Sequence, residues 1–455
     1  MPTPADLLGR AVLGTATLLQ GRKETVRRPV YVAATTAESV YLPSAAPGLG
    51  TSGVIIGQEL YSGKGFVYCP FRLYGDVLPG PNMLVQGETG EGKSALVESY
   101  ALRQIRFGRQ VAVFSVKRQQ DAAEEDEWAP PTRAVGGVVV SFRPGGDGSR
   151  INPLDPAIPA HLQHWLVRTM VETSSAALGE RAQYALSTAH RVAVTRAAEL
   201  GRPATLQGIG TALLNPSVEA ATYAYPDYSA EDAVRQMIEV GRDVALAIHR
   251  LCDPSGDLAG MVDGPTRIVL SGDDDRSGLQ SLLDAPLVDF DLSRVNANSA
   301  ALPVLMAVLG TWLNHAWLRA DGRKRILVVE EAWHVISDPK MAVLFEELGK
   351  FARGLGLSMV AVIHHMSDID DTPEAAALLK MASTRVVYQQ KAGEAEITAA
   401  RLGLPEWATD AIPRLQRGVA VWDVAGNCQV VQHVTTAAER QVCFSDSAMT
   451  SGSAA

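Results

Sequence analysis

Residues 87–94 read Gly-Glu-Thr-Gly-Glu-Gly-Lys-Ser. Gly87, Gly92, Lys93 and Ser94 fall on the G-x-x-x-x-G-K-S spacing of a phosphate-binding loop. The chemistry explains the spacing. Glycines such as Gly87, Gly90 and Gly92 let backbone N–H groups curl around phosphate oxygens with no Cβ in the way. Lys93 is then placed to bring a point charge to the β- and γ-phosphates, and Ser94 to offer its hydroxyl to Mg²⁺. A helix opening at this point would aim its positive end at the same phosphates. Glu88, Thr89, Glu91 and Ala95 complete the predicted nucleotide-binding stretch. Glu88 and Glu91 have the wrong sign for phosphate, so their carboxylates are expected to point outward.

A second acidic motif lies far downstream. The apolar run Ile326-Leu327-Val328-Val329 leads straight into Glu330-Glu331. Two acids at the end of a buried strand are poor core residues, but they suit nucleotide hydrolysis. The first can hold the magnesium shell and the second can orient or deprotonate an attacking water. Glu330 is therefore assigned to the metal and Glu331 to water. The competing reading is a solvated helix start, with Glu331 as a favourable N-terminal charge before Ala332 and Trp333. The glycine loop upstream favours the first reading. ATP and Mg²⁺ are the expected cofactors.

Elements to position these residues are visible around them. Met83–Gln86 reads as a strand into the loop, 94–107 as a helix out of it, and 111–116 as the next buried strand, a βαβ pattern. Residues 155–285 change to helical spacing, with Ser229 before one long amphipathic stretch, and read as an α-helical insertion. Strand-like runs return at 287–292, 325–330, 358–365 and 384–390. A hairpin follows at 419–434, turning at Gly426-Asn427. The predicted organisation is a 1–52 extension and linker, an α/β domain in two parts (53–154 and 286–435) around the insertion, and a flexible tail at 436–455.

Bulk composition bounds the rest. The chain has 455 residues, 47% hydrophobic and 20% charged, with net charge −9. That length suits two or three domains, and the acidic balance argues against a blanket polycation for nucleic acid. Cys69, Cys252, Cys428 and Cys443 lack metal-ligand spacing, which fits a reducing compartment. The N-terminus lacks the positive region of a signal peptide. The most apolar segment, 302–318, is broken by Asn314 and His315 and reads as a buried core helix, so any membrane contact is expected to be peripheral.

The string VVEEAW at 328–333, downstream of GETGEGKS, resembles the TraC-like type IV secretion and conjugation ATPases of the FtsK–HerA superfamily, whose usual form is strand, then Asp-Glu-Ala-Trp. INPLDP (151–156), GMVDGPT (260–266), LVDFDLS (287–293), AVIHHMSDID (361–370) and the pattern over 402–426 are similar to other family segments. The resemblance covers roughly residues 53 to 435. It implies a RecA-like, mainly parallel sheet and a homo-hexameric ring with nucleotide at subunit interfaces. It also implies a cytoplasmic location at the inner face of the membrane, secretion-channel proteins as partners, and ATP-driven work.

Several positions depart from the family pattern. Glu330 replaces the usual Asp, and His364 stands where a Gln usually senses the γ-phosphate. His365 is read as structural. Lys117 in SVKRQQD fits the family lysine, but the acid after it is displaced to Asp121. Only 86 residues precede the loop, which predicts that the family's N-terminal docking domain is missing or supplied by another chain. Ring ATPases also insert a neighbour's arginine to offset transition-state charge. By position Arg353 is the first candidate and Arg385, at the start of TRVVYQQ, the second. The leading reading is a secretion or conjugation motor. A DNA-pumping translocase, for which residues 117–120 would be a basic contact, and an ATP-binding scaffold with little turnover are the alternatives.

Overall fold

The computed structural model describes residues 49–117, 126–175, 177–270, 282–296, 299–318, 321–337, scattered positions between 342 and 354, and 356–443. The 1–52 extension thus lies almost wholly outside the described residues, as does Arg353.

Eleven strands form one sheet. They are β1 (Val54–Glu59), β2 (Gly65–Tyr68), β3 (Asn82–Gln86), β4 (Gln110–Ser115), β5 (Val138–Ser141), β6 (Leu287–Asp291), β7 (Arg325–Val329), β8 (Leu357–Ile363), β9 (Ala382–Val387), β10 (Val419–Val424) and β11 (Asn427–His433). Their order is β2-β1-β11-β10-β9-β3-β8-β7-β4-β6-β5. From β9 to β5 all neighbours are parallel. From β9 outward through β10, β11, β1 and β2 every pairing is antiparallel.

The parallel strands are covered on both faces, which is why they read as unbroken apolar runs rather than alternating ones. Alternate residues still go to opposite cores, as the pleat requires. Leu84, Ala112, Phe114, Leu327 and Val329 face one cluster. Met83, Val85, Val111, Val113, Ile326 and Val328 face the other. Helix α1 (Lys93–Arg106) covers the second face with Leu96, Val97, Tyr100 and Ala101. Among the described residues between β5 and β6 are the helices α2 (Ala160–Ser174), α3 (Glu180–Glu199), α4 (Leu206–Leu214), α5 (Val218–Ala224) and α6 (Ala230–Leu251). Ser229 caps α6 by accepting from the Asp232 N–H, as its position suggested. The apolar segment after β6 forms α7 (Ala301–Ala316), whose first thirteen residues are all buried, most of them in the first core.

Three sequence expectations change. The β10–β11 hairpin turns at Ala425-Gly426, one residue earlier than expected, because Val424 pairs with Asn427. Both turn residues have positive φ, 51° and 89°, the signature of a two-residue primed turn. The region from 436 is not wholly a flexible tail, since Ala437–Val442 form a short helix, α8. Thr436 and Glu439 make a capping box, and Arg103 of α1 grips both Glu439 oxygens at 2.7 Å. Residues 444–455 lie outside the described part. Finally, β1, β2 and β5 add strands in stretches where the sequence shows only short apolar runs between turns. β1 and β11 approach so closely that a Cβ at Gly57 would collide with the Gln432 carbonyl.

Candidate functional site

Parallel neighbours end on the same edge of a sheet, so loops leaving their carboxyl ends converge. β4, β7, β8 and β3 are consecutive neighbours in the sheet. The residues that follow them are Lys117, Glu330-Glu331, His364 and the glycine loop. Chain segments up to 275 residues apart are thereby brought into hydrogen-bond range.

The loop itself depends on its glycines. Gly87, Gly90 and Gly92 all have positive φ (152°, 85° and 109°), and a Cβ at Gly87 would lie 2.5 Å from that of Tyr388. Two hydrogen bonds pin the outer side of the loop: Glu88 N–H donates to Gln389 O at 3.0 Å and Gly418 N–H to Glu91 O at 2.9 Å. This pinning tucks the two loop acids in. Contrary to expectation they do not point freely outward: each is half-buried with one oxygen lacking a partner, and Glu88 lies 3.9 Å from His365. Gly92 caps α1 with no side-chain bond, leaving the helix's first N–H groups facing the loop.

Lys93 is 4% exposed. Its ammonium donates to the carbonyls of Gly87 (2.6 Å) and Glu88 (2.8 Å), and lies 3.2 Å from His364 Nδ1. Burial, then the nearby Lys117 charge, lowers its pKa to about 8. On its other side His364 Nε2 lies 2.9 Å from Glu331 Oε1. An ammonium can only donate, so Nδ1 accepts and Nε2 carries the proton that Glu331 receives. His364 thus ties the loop lysine to the second acid. Thr89 Oγ1 is 3.4 Å from the same Nδ1.

Glu331 has φ 48° and, with Ala425, is one of two non-glycine residues with positive φ among those described. Such a backbone costs on the order of 1–3 kcal/mol and persists only where its surroundings hold it. Here Trp333 Nε1 donates to Oε2 at 2.9 Å, His364 holds Oε1, and Lys117 Nζ is 3.9 Å away. Burial pushes the carboxyl pKa up, but His364, Lys117 and Trp333 outweigh it and hold it at about 2. Glu331 is therefore a fixed, ionised carboxylate at neutral pH.

Glu330 is different. It is 1% exposed, and Trp128 Nε1 donates to its Oε1 at 3.0 Å while Oε2 has no partner. Burial raises its pKa to about 7, opposed by Lys117 and reinforced by Glu127. Lys117 Nζ also lies 3.4 Å from Ser94 Oγ. The hard oxygen donors of Ser94 and Glu330, one carboxylate oxygen still open, fit a magnesium ion. Among the described residues no group of three or more His, Cys, Asp or Glu could hold a metal alone.

The structure therefore brings together Gly87 through Ala95, Glu330, Glu331 and His364. It separates Arg385, whose Nη1 bonds the nearly buried Asp423 (2.9 Å) and Leu402 O (2.9 Å) within its own chain. Its Nε makes no hydrogen bond among the described residues. Lys117 and Trp128 are the additions. Lys117 carried a family resemblance but no assigned contact, and Trp128 carried no sequence signal at all.

No family model and no curated protein matches the sequence. Solved structures do match. VirB4 of Thermoanaerobacter pseudethanolicus superposes with TM-score 0.68 at 18% identity, over 87% of this chain and 100% of that one. The bacterial conjugative coupling protein TrwB gives 0.52 at 14% identity, over 91% and 94%. The TrwB complex with ADP and Mg²⁺ gives 0.50 at 15% identity, over 91% and 95%. The chain has the RecA-like P-loop NTPase fold of VirB4 and TrwB, a mainly parallel sheet with flanking helices.

Proposed function

We propose that this protein is an ATP-hydrolysing motor of a type IV secretion or conjugative transfer system, using ATP and Mg²⁺. The observation that carries it is the Lys93–His364–Glu331 chain of contacts, which joins the phosphate loop to an ionised, pre-oriented carboxylate. Lys93 and the loop N–H groups bind the phosphates. Ser94 and Glu330 would hold Mg²⁺, which supplies charge neutralisation at the phosphate oxygens when bound. Glu331, held ionised, orients the attacking water, and His364 keeps Glu331 aimed. The shared fold with VirB4 and TrwB supports the biological setting.

The helices from Ala160 to Leu251 form the inserted module of this motor, and a homo-hexamer with nucleotide at its interfaces is the assembly. Among the described residues no helix is long and apolar enough to cross a membrane. Contact with channel proteins at the inner face of the membrane is thus proposed as peripheral. The test is ATP hydrolysis by purified protein with and without single- and double-stranded DNA, with Glu331→Gln as the blank. Turnover indifferent to DNA supports the secretion motor, and strong stimulation by DNA supports a translocase. Turnover no higher than the blank would defeat the hydrolytic reading.

A further inference from the structure

Trp128 is fully buried, and nothing in the sequence motifs assigns it a task. Its position is unusual. It follows Asp126 and Glu127, where the chain returns to the carboxyl edge of the sheet after β4. Asp126 Oδ1 accepts the Ala129 N–H at 2.8 Å, and Glu127 N–H donates to Lys117 O at 3.0 Å. These two bonds fix the backbone on either side of the indole. The indole N–H then reaches a residue 202 positions away, Glu330 Oε1, at 3.0 Å. Among the described residues Trp128 makes the only hydrogen bond to the Glu330 side chain, and Oε2 is left buried with no partner.

A carboxylate with one oxygen tied and the other open has a fixed direction in which to meet a cation. We propose that Trp128 is a positioning residue for the metal-holding carboxylate, its indole N–H fixing Glu330 so that Oε2 is presented to the divalent ion of a bound nucleotide. The proposal rests on the reading of Glu330 given above. An indole suits the task better than a hydroxyl or an amide. It donates one hydrogen bond and accepts none, so it cannot rotate to offer a competing acceptor. Its ring also fills the buried space that keeps the carboxylate out of water.

Outer partners of metal ligands typically contribute about 10- to 100-fold in metal affinity. The test uses full-length protein with ADP and Mn²⁺, followed by the electron paramagnetic resonance of free Mn²⁺, beside metal-free binding of a fluorescent ADP. Trp128→Phe keeps the ring and loses the donor. It is expected to recruit Mn²⁺ to bound ADP about 10-fold more weakly, with metal-free ADP binding unchanged. In a Glu330→Ala background the same substitution should have no further effect. Unchanged Mn²⁺ recruitment by folded Trp128→Phe overturns the proposal. If Glu330→Ala itself recruits Mn²⁺ normally, the metal assignment of Glu330 fails instead.

Should Trp128→Phe not fold, indole-¹⁵N-tryptophan protein provides the second measurement. Glu330→Ala is then expected to speed hydrogen exchange of one indole N–H that Glu331→Ala leaves protected. Glu331→Ala should in turn release that of Trp333, whose N–H bonds Glu331. No indole responding to Glu330→Ala alone would overturn the proposal.

Discussion

His364→Ala is the most informative single substitution in the site. It deletes the Nε2 hydrogen bond to Glu331 Oε1 (2.9 Å) and the Nδ1 contact to Lys93 (3.2 Å). A hydrogen bond to a charged group contributes about 1.5–3 kcal/mol. Glu331 also sits at φ 48°, a backbone that its side-chain partners help to hold. If the whole of that stabilisation serves the hydrolytic step, kcat falls about 10- to 150-fold. Lys93 keeps its bonds to the Gly87 and Glu88 carbonyls, so nucleotide affinity should change by less than about 3-fold. His364→Gln, whose amide can both donate to Glu331 and accept from Lys93, should recover most of the loss. The assay is steady-state ATP hydrolysis beside equilibrium binding of a fluorescent ADP. A kcat within about two-fold of wild type, or a loss confined to nucleotide affinity, would refute the idea that His364 aims the base.

Other expectations concern fold and pH. Ala425→Asn, creating Asn-Gly at a turn whose first residue has φ 51°, should stabilise the protein by about 0.5–1 kcal/mol, read from the midpoint of a urea transition; a lower midpoint would contradict the primed turn. Arg385→Ala leaves Asp423 buried without its 2.9 Å partner and should cost about 3–5 kcal/mol in the same assay. Mixing that variant with Glu331→Gln subunits should restore no turnover, and restoration would support Arg385 as a residue that acts in trans. His433 bonds Ser99 Oγ at 2.9 Å. Burial, then the Arg103 charge, lowers its pKa from 6.5 to about 4. The unfolded chain therefore binds the extra proton first. The stability from neutral His433 is complete above about pH 6.5 and falls by roughly 3 kcal/mol as pH drops towards 4. His433→Gln should flatten that part of the stability–pH curve, and an unchanged slope would show that other groups carry it.

The parts of the site that were legible in the sequence are those whose chemistry demands adjacent residues. A phosphate cradle must be one continuous loop, so Gly87 to Ser94 announce it. A strand that delivers two acids to one edge must end in them, so Glu330 and Glu331 stand out. Trp128 and Lys117 act through convergence of separate strand ends, which only the sheet order creates. The partner of Arg385 was hidden for a related reason, since only the β9–β10 register places Asp423 opposite it. The hairpin shows the limit at finer scale. Gly-Asn and Ala-Gly are both plausible turns, and only the pairing of Val424 with Asn427 selects the second.

The pairing of β1 with β11 sets an order on biosynthesis. Gly57 meets His433, so one of the first strands made is completed by the last one. Until β10 and β11 leave the ribosome, the β1–β2 hairpin has no partner and β9 presents an open edge. Both are sites where another chain can add a strand. Folding of this half of the sheet is therefore a high-contact-order event that waits for translation to finish, whereas β3, α1 and β4 can pack as they emerge. Chains interrupted before Val419 should accordingly be caught by chaperones or aggregate, even though every residue of the nucleotide loop has already been made.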